Sequence, residues 1–71
     1  MNTVSPKKLL NSKWTAVQPK NKEKHFIIVE VDYDEDKNVV LCVQEAVMTK
    51  RQCEIDWREL KNPDMWRSGW K

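Results

Sequence analysis

Two stretches of this chain alternate in a two-residue period, His25 to Tyr33 and Val39 to Val47. The odd positions of the first are His25, Ile27, Val29, Val31 and Tyr33; those of the second are Val39, Leu41, Val43, Glu45 and Val47. Between them Asp34-Glu35-Asp36-Lys37-Asn38 is wholly polar and reads as a turn. A hairpin closed over that loop opposes Tyr33 to Val39, Val31 to Leu41 and Val29 to Val43. Its β-branched and aromatic side chains then share one face, the arrangement that cross-strand pairing favours. The other face keeps Phe26, Ile28, Val40, Cys42 and Ala46, which is too apolar to be wholly wet. Burial on both sides is therefore expected over part of the sheet.

The flanking segments add shorter elements. Ser12 to Gln18 alternates around Trp14 and Ala16 and reads as a first strand ended by Pro19. A turn near Thr49-Lys50-Arg51 returns the chain through Cys53 to Trp57. A three-residue loop there sets Val47 beside Cys53 and Val43 beside Trp57, whereas a two-residue loop would oppose Glu45 to Glu54. Asp56 to Leu60 suggests a helical turn. Asn62-Pro63-Asp64 has the cap, proline and acid of a helix start, and Gly69 can stop the helix in the left-handed conformation. Ser5-Pro6 permits one more helical turn, or an extended arm bringing Leu9 and Leu10 to the core.

The pattern thus predicts one domain over residues 1–71, with residues 1–8 flexible. The fold class is mainly β: three or four antiparallel strands near 13–18, 25–33, 39–48 and 53–57, as a small sheet or partly closed SH3-like barrel, with a short C-terminal helix at 63–68. Its expected core is Trp14, Val29, Val31, Leu41, Val43, Ile55, Trp57, Leu60 and Trp66.

Composition removes most chemistries. The chain has one glycine, Gly69, so Gly-rich phosphate loops are excluded. Its longest apolar runs fall far short of the ~20 residues that span a bilayer, and the first residues have no apolar signal-peptide core. A cytoplasmic protein without a membrane partner is expected. Cys42, Cys53 and His25 match no zinc spacing, and the cysteines read as reduced, small apolar residues. The acidic loop resembles the opening of a calcium loop, but Lys37 stands where the bend needs Gly and Val43 where a bidentate Glu is needed. His25 with Cys53 would make a nucleophile pair, yet no third group is placed to orient it. The expectation is no enzyme, no metal and no cofactor.

What remains is recognition. Residues 1–25 carry six lysines against one acid, residues 26–48 six acids against Lys37, and the rest six basic groups against four acids. With four tryptophans in the chain, rings could stack bases while Lys13, Lys20, Lys22, Lys24, Lys50, Arg51 and Arg67 follow phosphates. In an extended loop Lys20, Lys22 and Lys24 would point the same way. The leading expectation is a non-catalytic module that binds protein. Single-stranded nucleic acid (RNA) is the alternative, with Lys20, Lys22, Lys24, Arg51, Arg67 and Trp70 as candidate binding residues.

Several stretches, Ser12-Lys-Trp-Thr-Ala16, Glu23-Lys-His-Phe26, Gln44-Glu-Ala-Val47, Ile55-Asp-Trp-Arg-Glu-Leu60 and Trp66-Arg-Ser-Gly-Trp70, resemble a small tryptophan-rich family of bacterial proteins with no assigned function. Gln44 departs from it, standing where an apolar residue is expected. The resemblance implies a stand-alone cytoplasmic protein and carries over no catalytic residue. It also draws attention to His25, Glu45, Arg51, Asp56 and Arg58 as a polar set tying the sheet to the C-terminal segment, with His25 and Glu45 diagonal neighbours on one face.

Overall fold

A computed structural model describes residue 2, residues 4–20 and residues 23–70. Five strands form one antiparallel sheet: β1 (Lys13–Lys20), β2 (Glu23–Tyr33), β3 (Val39–Ala46), β4 (Gln52–Glu54) and β5 (Trp66–Ser68), in the order β4-β3-β2-β1-β5. The sheet does not close into a barrel, and its helical content is confined to 3-10 turns at Pro6–Lys8 and Trp57–Lys61. The fold is mainly β, as the alternation predicts.

Both ends of the expected hairpin register are present, Ile27 opposite Glu45 and Tyr33 opposite Val39. Between them the pairing slips by one, so that Val31 faces Cys42 and Asp32 faces Leu41. One extra residue on each strand, Val29 and Val40, accounts for the slip, and each reverses the inside-outside parity of its strand. The inner face therefore carries Phe26, Ile28, Cys42, Gln44 and Ala46 beyond the bulges, and Val31 and Val39 on the loop side. Leu9, Trp14, Ile28, Cys42 and Leu60 make the core cluster, with Val4, Phe26, Val31, Val39, Ile55, Trp57 and Trp66 packed against it. Val29, Leu41 and Val43, expected in the core, are only half-buried and lie outside this cluster.

The C-terminal helix expected at 63–68 is replaced by a turn and a strand. Asn62 Oδ1 accepts from Asp64 N at 2.9 Å, and the Asn62 carbonyl accepts from both Met65 and Trp66. That is one turn's worth of bonding. Trp66, Arg67 and Ser68 then pair with Ala16, Thr15 and Trp14, filling the free edge of β1. The turn before β4 spans four residues, with Ala46 N bonded to Arg51 O and Lys50 at φ 61°. This sets Val43 opposite Glu54 and Gln44 opposite Cys53, in place of the three-residue register, and leaves Trp57 outside the strand. With a single glycine in the chain, Asn11, Lys37 and Lys50 take left-handed backbone positions that glycine usually fills.

The second 3-10 turn is capped by Asp56, whose carboxylate accepts from Arg58 N at 3.0 Å. The N-terminal segment takes the one helical turn that Ser5-Pro6 permits, at Pro6–Lys8, and reaches the second 3-10 turn, where Asn2 bonds the carbonyls of Leu60, Lys61 and Trp66. Leu9 is buried and Leu10 exposed.

Candidate functional site

The two faces of the sheet differ. The N-terminal segment and the second 3-10 turn send Val4, Leu9, Trp57 and Leu60 into the same cluster as the inner-face side chains. The outer face holds one buried side chain, Thr15 at 2% exposure, bonded to Gly69, and its other side chains along the ladder are half-buried or exposed. The molecule is a slab, 37 × 26 × 15 Å. Reading across the ladder, the outer face carries Arg67, Thr15 and His25 in one row and Lys13, Ile27, Glu45 and Gln52 in the next. Glu30, Val43 and Glu54 follow, then Asp32 and Leu41. Ile27, Leu41 and Val43 are half-buried, while Lys13, Arg67, Glu30, Asp32 and Glu54 are exposed.

One corner of this face is built around Trp70. Gly69, at φ 81°, turns the chain back after β5. Its N–H donates to the Lys13 carbonyl at 2.7 Å, and its carbonyl accepts from Thr15 Oγ1 at 2.6 Å. The indole Nε1 of Trp70 donates to the Phe26 carbonyl at 3.0 Å. Lys13 Nζ lies 4.8 Å from the ring centroid, and the His25 ring is 6.0 Å away at a tilt of 44°. Trp70 nevertheless keeps 44% of its surface in solvent. A ring held at three points and still exposed is preorganised for contact.

The other candidates are placed differently. Arg67 lies one strand from Lys13, on the same face. Arg51 is paired with Glu23. Lys24 is exposed on β2. Lys22 and the side chain of Lys20 lie outside the described residues, so the Lys20, Lys22 and Lys24 row is represented by Lys24. Cys53 is exposed on the edge strand β4, and Cys42 is buried, its thiol pushed up by burial and by Asp56. Among the described residues no three His, Cys, Asp or Glu side chains come together as a metal ion would need. Among the described residues no helix is long and apolar enough to cross a membrane. A shallow cleft of about 690 Å³ is lined by Ser5, Pro6, Lys7, Tyr33 and Lys37. A smaller one of about 200 Å³ runs beside Val39, Ile55, Asp56 and Trp57.

The polar set divides into separate pairs. Glu23 is buried and accepts from Thr49 Oγ1 at 2.6 Å and from Arg51. The Thr49 hydroxyl, then the Arg51 guanidinium, hold its carboxyl below the ordinary 4.5. Glu45 takes Gln52 Nε2, and Arg58 pairs with Asp56. Because the folded value is lowered, the Glu23 contribution is complete above 4.5 and is lost as pH falls through the folded value. Glu23→Gln should therefore melt below wild type at about pH 7, with the gap narrowing as the pH falls below 4.5, in thermal melts followed by circular dichroism. A gap that widened in acid would contradict this assignment.

Three acids of the outer face, Glu30, Asp32 and Glu54, escape a sequence reading that takes the odd-numbered positions as core. Their signal was the alternation itself, read on the wrong side of the bulges. A family model described as Tryptophan-rich protein (DUF2389) matches residues 12–71, and the chain belongs to that family. No curated protein and no solved structure matches the chain.

Proposed function

We propose that this member of the tryptophan-rich family is a non-catalytic, protein-binding module that presents the open face of its sheet to a partner. One observation carries the reading: a sheet whose outer face, Thr15 apart, carries only half-buried and exposed side chains and holds the exposed, pinned ring of Trp70. Half-buried Ile27, Leu41 and Val43 continue that surface, and charged side chains surround it. An apolar centre with an aromatic anchor and a polar rim is the usual anatomy of a protein interface. The same face argues against single-stranded nucleic acid, because Glu30, Asp32, Glu45 and Glu54 share it with the cations Lys13 and Arg67. Phosphates would meet four carboxylates along that path. The cytoplasm suits two free cysteines, one of them exposed.

Affinity capture from lysate, with and without nuclease, tests this. Wild type is expected to retain a protein that Trp70→Ala and Val43→Lys both lose, with nuclease making no difference. Capture abolished by nuclease, or unaffected by either variant, would overturn the reading.

A further inference from the structure

Apart from the sheet face, we propose that the cleft of about 690 Å³ between the first 3-10 turn and the β2–β3 loop is a small-molecule site for an anionic ligand with a flat apolar body. Its lining is Ser5, Pro6, Lys7, Tyr33 and Lys37. The volume lies within the ~300–1,000 Å³ of small-molecule sites. Tyr33 ends β2, seven residues beyond Phe26, whose carbonyl holds Trp70. Along a strand that is roughly 20 Å, so the cleft and the Trp70 corner are separate surfaces.

The chemistry of the lining selects the ligand. Pro6 and Tyr33 supply two rings, and the Tyr33 hydroxyl donates to the Pro6 carbonyl, which ties the walls together and fixes the phenol ring. Tyr33 is still 42% exposed, so its ring offers a face on which a flat apolar group can stack. Both charged residues of the lining are cations, although the hairpin loop carries Asp34, Glu35 and Asp36 against Lys37 alone. The loop's hydrogen bonding shows how. Asp34 turns its carboxylate onto the loop's own N–H groups, accepting from Asp36 and Asn38 at 2.9 Å, and its carbonyl accepts from Lys37 N at 3.0 Å. Lys37 takes a left-handed position at φ 65° and lines the cleft, whereas Glu35 and Asp36 do not. Lys7 comes from the first 3-10 turn, so the two lysines belong to segments brought together only by the fold. Ser5, at the N-cap of that turn, makes no side-chain capping bond, and its hydroxyl can donate to the same anionic group. A carboxylate and a phosphate share this chemistry.

The test is NMR titration of the full chain, following backbone amides, with four probes: benzoate, phenyl phosphate, neutral benzamide and inorganic phosphate. Benzoate or phenyl phosphate is expected to shift the amides of Lys7, Tyr33 and Lys37 saturably, and the tighter of the two identifies the anionic group the cleft prefers. Benzamide and inorganic phosphate each lack one half of the ligand and should bind more weakly. Lys7→Gln with Lys37→Gln should weaken the better acid on the order of 10-fold, because two exposed charge pairs are lost. Lys7→Arg with Lys37→Arg keeps both charges and should keep the binding. Tyr33→Ala removes the stacking face and should bring phenyl phosphate down to the level of inorganic phosphate. All three side chains are exposed, so the variants should retain the wild-type spectrum away from the cleft. The proposal is overturned if neither acid gives a saturable shift, or if the shifts centre on Lys13 and Arg67 instead. Benzamide binding as tightly as the acids would also overturn it, as would a Gln double variant that binds like wild type.

Discussion

Trp14→Ala should remove a large share of the protein's stability. Trp14 occupies the middle layer of the molecule, on a strand flanked by β2 on one side and β5 on the other, opposite Phe26 and Ser68. Its side chain is 3% exposed and belongs to the cluster with Leu9, Ile28, Cys42 and Leu60. Its Nε1 is satisfied by Ser12 Oγ at 2.9 Å. Removing a ring from such a site costs ~3–5 kcal/mol, since the transfer free energy is lost and a cavity remains. A chain of 71 residues has a total stability of only roughly 4–10 kcal/mol. The cost is thus a large share of the whole, and no second core is available to compensate. Urea denaturation followed by circular dichroism reads the effect directly. Trp70→Ala, which removes a ring 44% exposed, should cost far less. If the two variants lost similar stability, the assignment of Trp14 to the core and Trp70 to the surface would be wrong.

Gln44→Met should act in the opposite direction and stabilise the fold. Gln44 lies on the inner face between Cys42 and Ala46, opposite Ile28 on β2 and Cys53 on β4, and is 4% exposed. Its Nε2 is one of two buried side-chain polar atoms without a hydrogen-bond partner among the described residues, the other being Trp66 Nε1. A buried donor left unpaired costs ~1–3 kcal/mol. Methionine has nearly the same length, no donor to satisfy, and enough flexibility to fill the amide's place. Each kcal/mol gained should raise the melting temperature by ~4–8 °C in a domain of this size. An unchanged or lower melting temperature would mean that the amide is in fact satisfied where it sits.

The hairpin shows how local patterning can be right at both ends and wrong in the middle. The five-residue loop from Asp34 to Asn38 sets Tyr33 opposite Val39, and the polar residues at that tip serve the turn: Asp34 accepts from the N–H groups of Asp36 and Asn38 at 2.9 Å. At the other end Ile27 meets Glu45 as expected. The bulges at Val29 and Val40 cancel across the hairpin, so neither end betrays them. Yet they move Leu41 and Val43 out of the core and Ile28 and Cys42 into it. No residue type marks either bulge, because both are valines within runs of valine, isoleucine and leucine. The C-terminal segment failed for a related reason. Asn62-Pro63-Asp64 is a sound helix start, but it yields one turn before the open edge of β1 captures Trp66 to Ser68. A ladder with a waiting partner outweighs the modest propensity of three or four residues.

What the sequence by itself determined is short in range: a mainly β chain, the polar turn at 34–38, the turn that begins at Asp56, the left-handed backbone at Gly69, and Trp14 and Leu60 as buried anchors. These follow from alternation, turn chemistry and ring size, all of which act within a few residues. The tertiary structure alone decided which face of the hairpin is covered, that β5 closes the edge of β1, and that Trp70 stands beside Lys13 and His25 rather than in the core. Those outcomes depend on contacts between segments 40 to 60 positions apart, such as Trp70 with Phe26 and Thr15 with Gly69. The Leu9 and Leu60 segments pack on one side of the sheet, and the core cluster forms on that side.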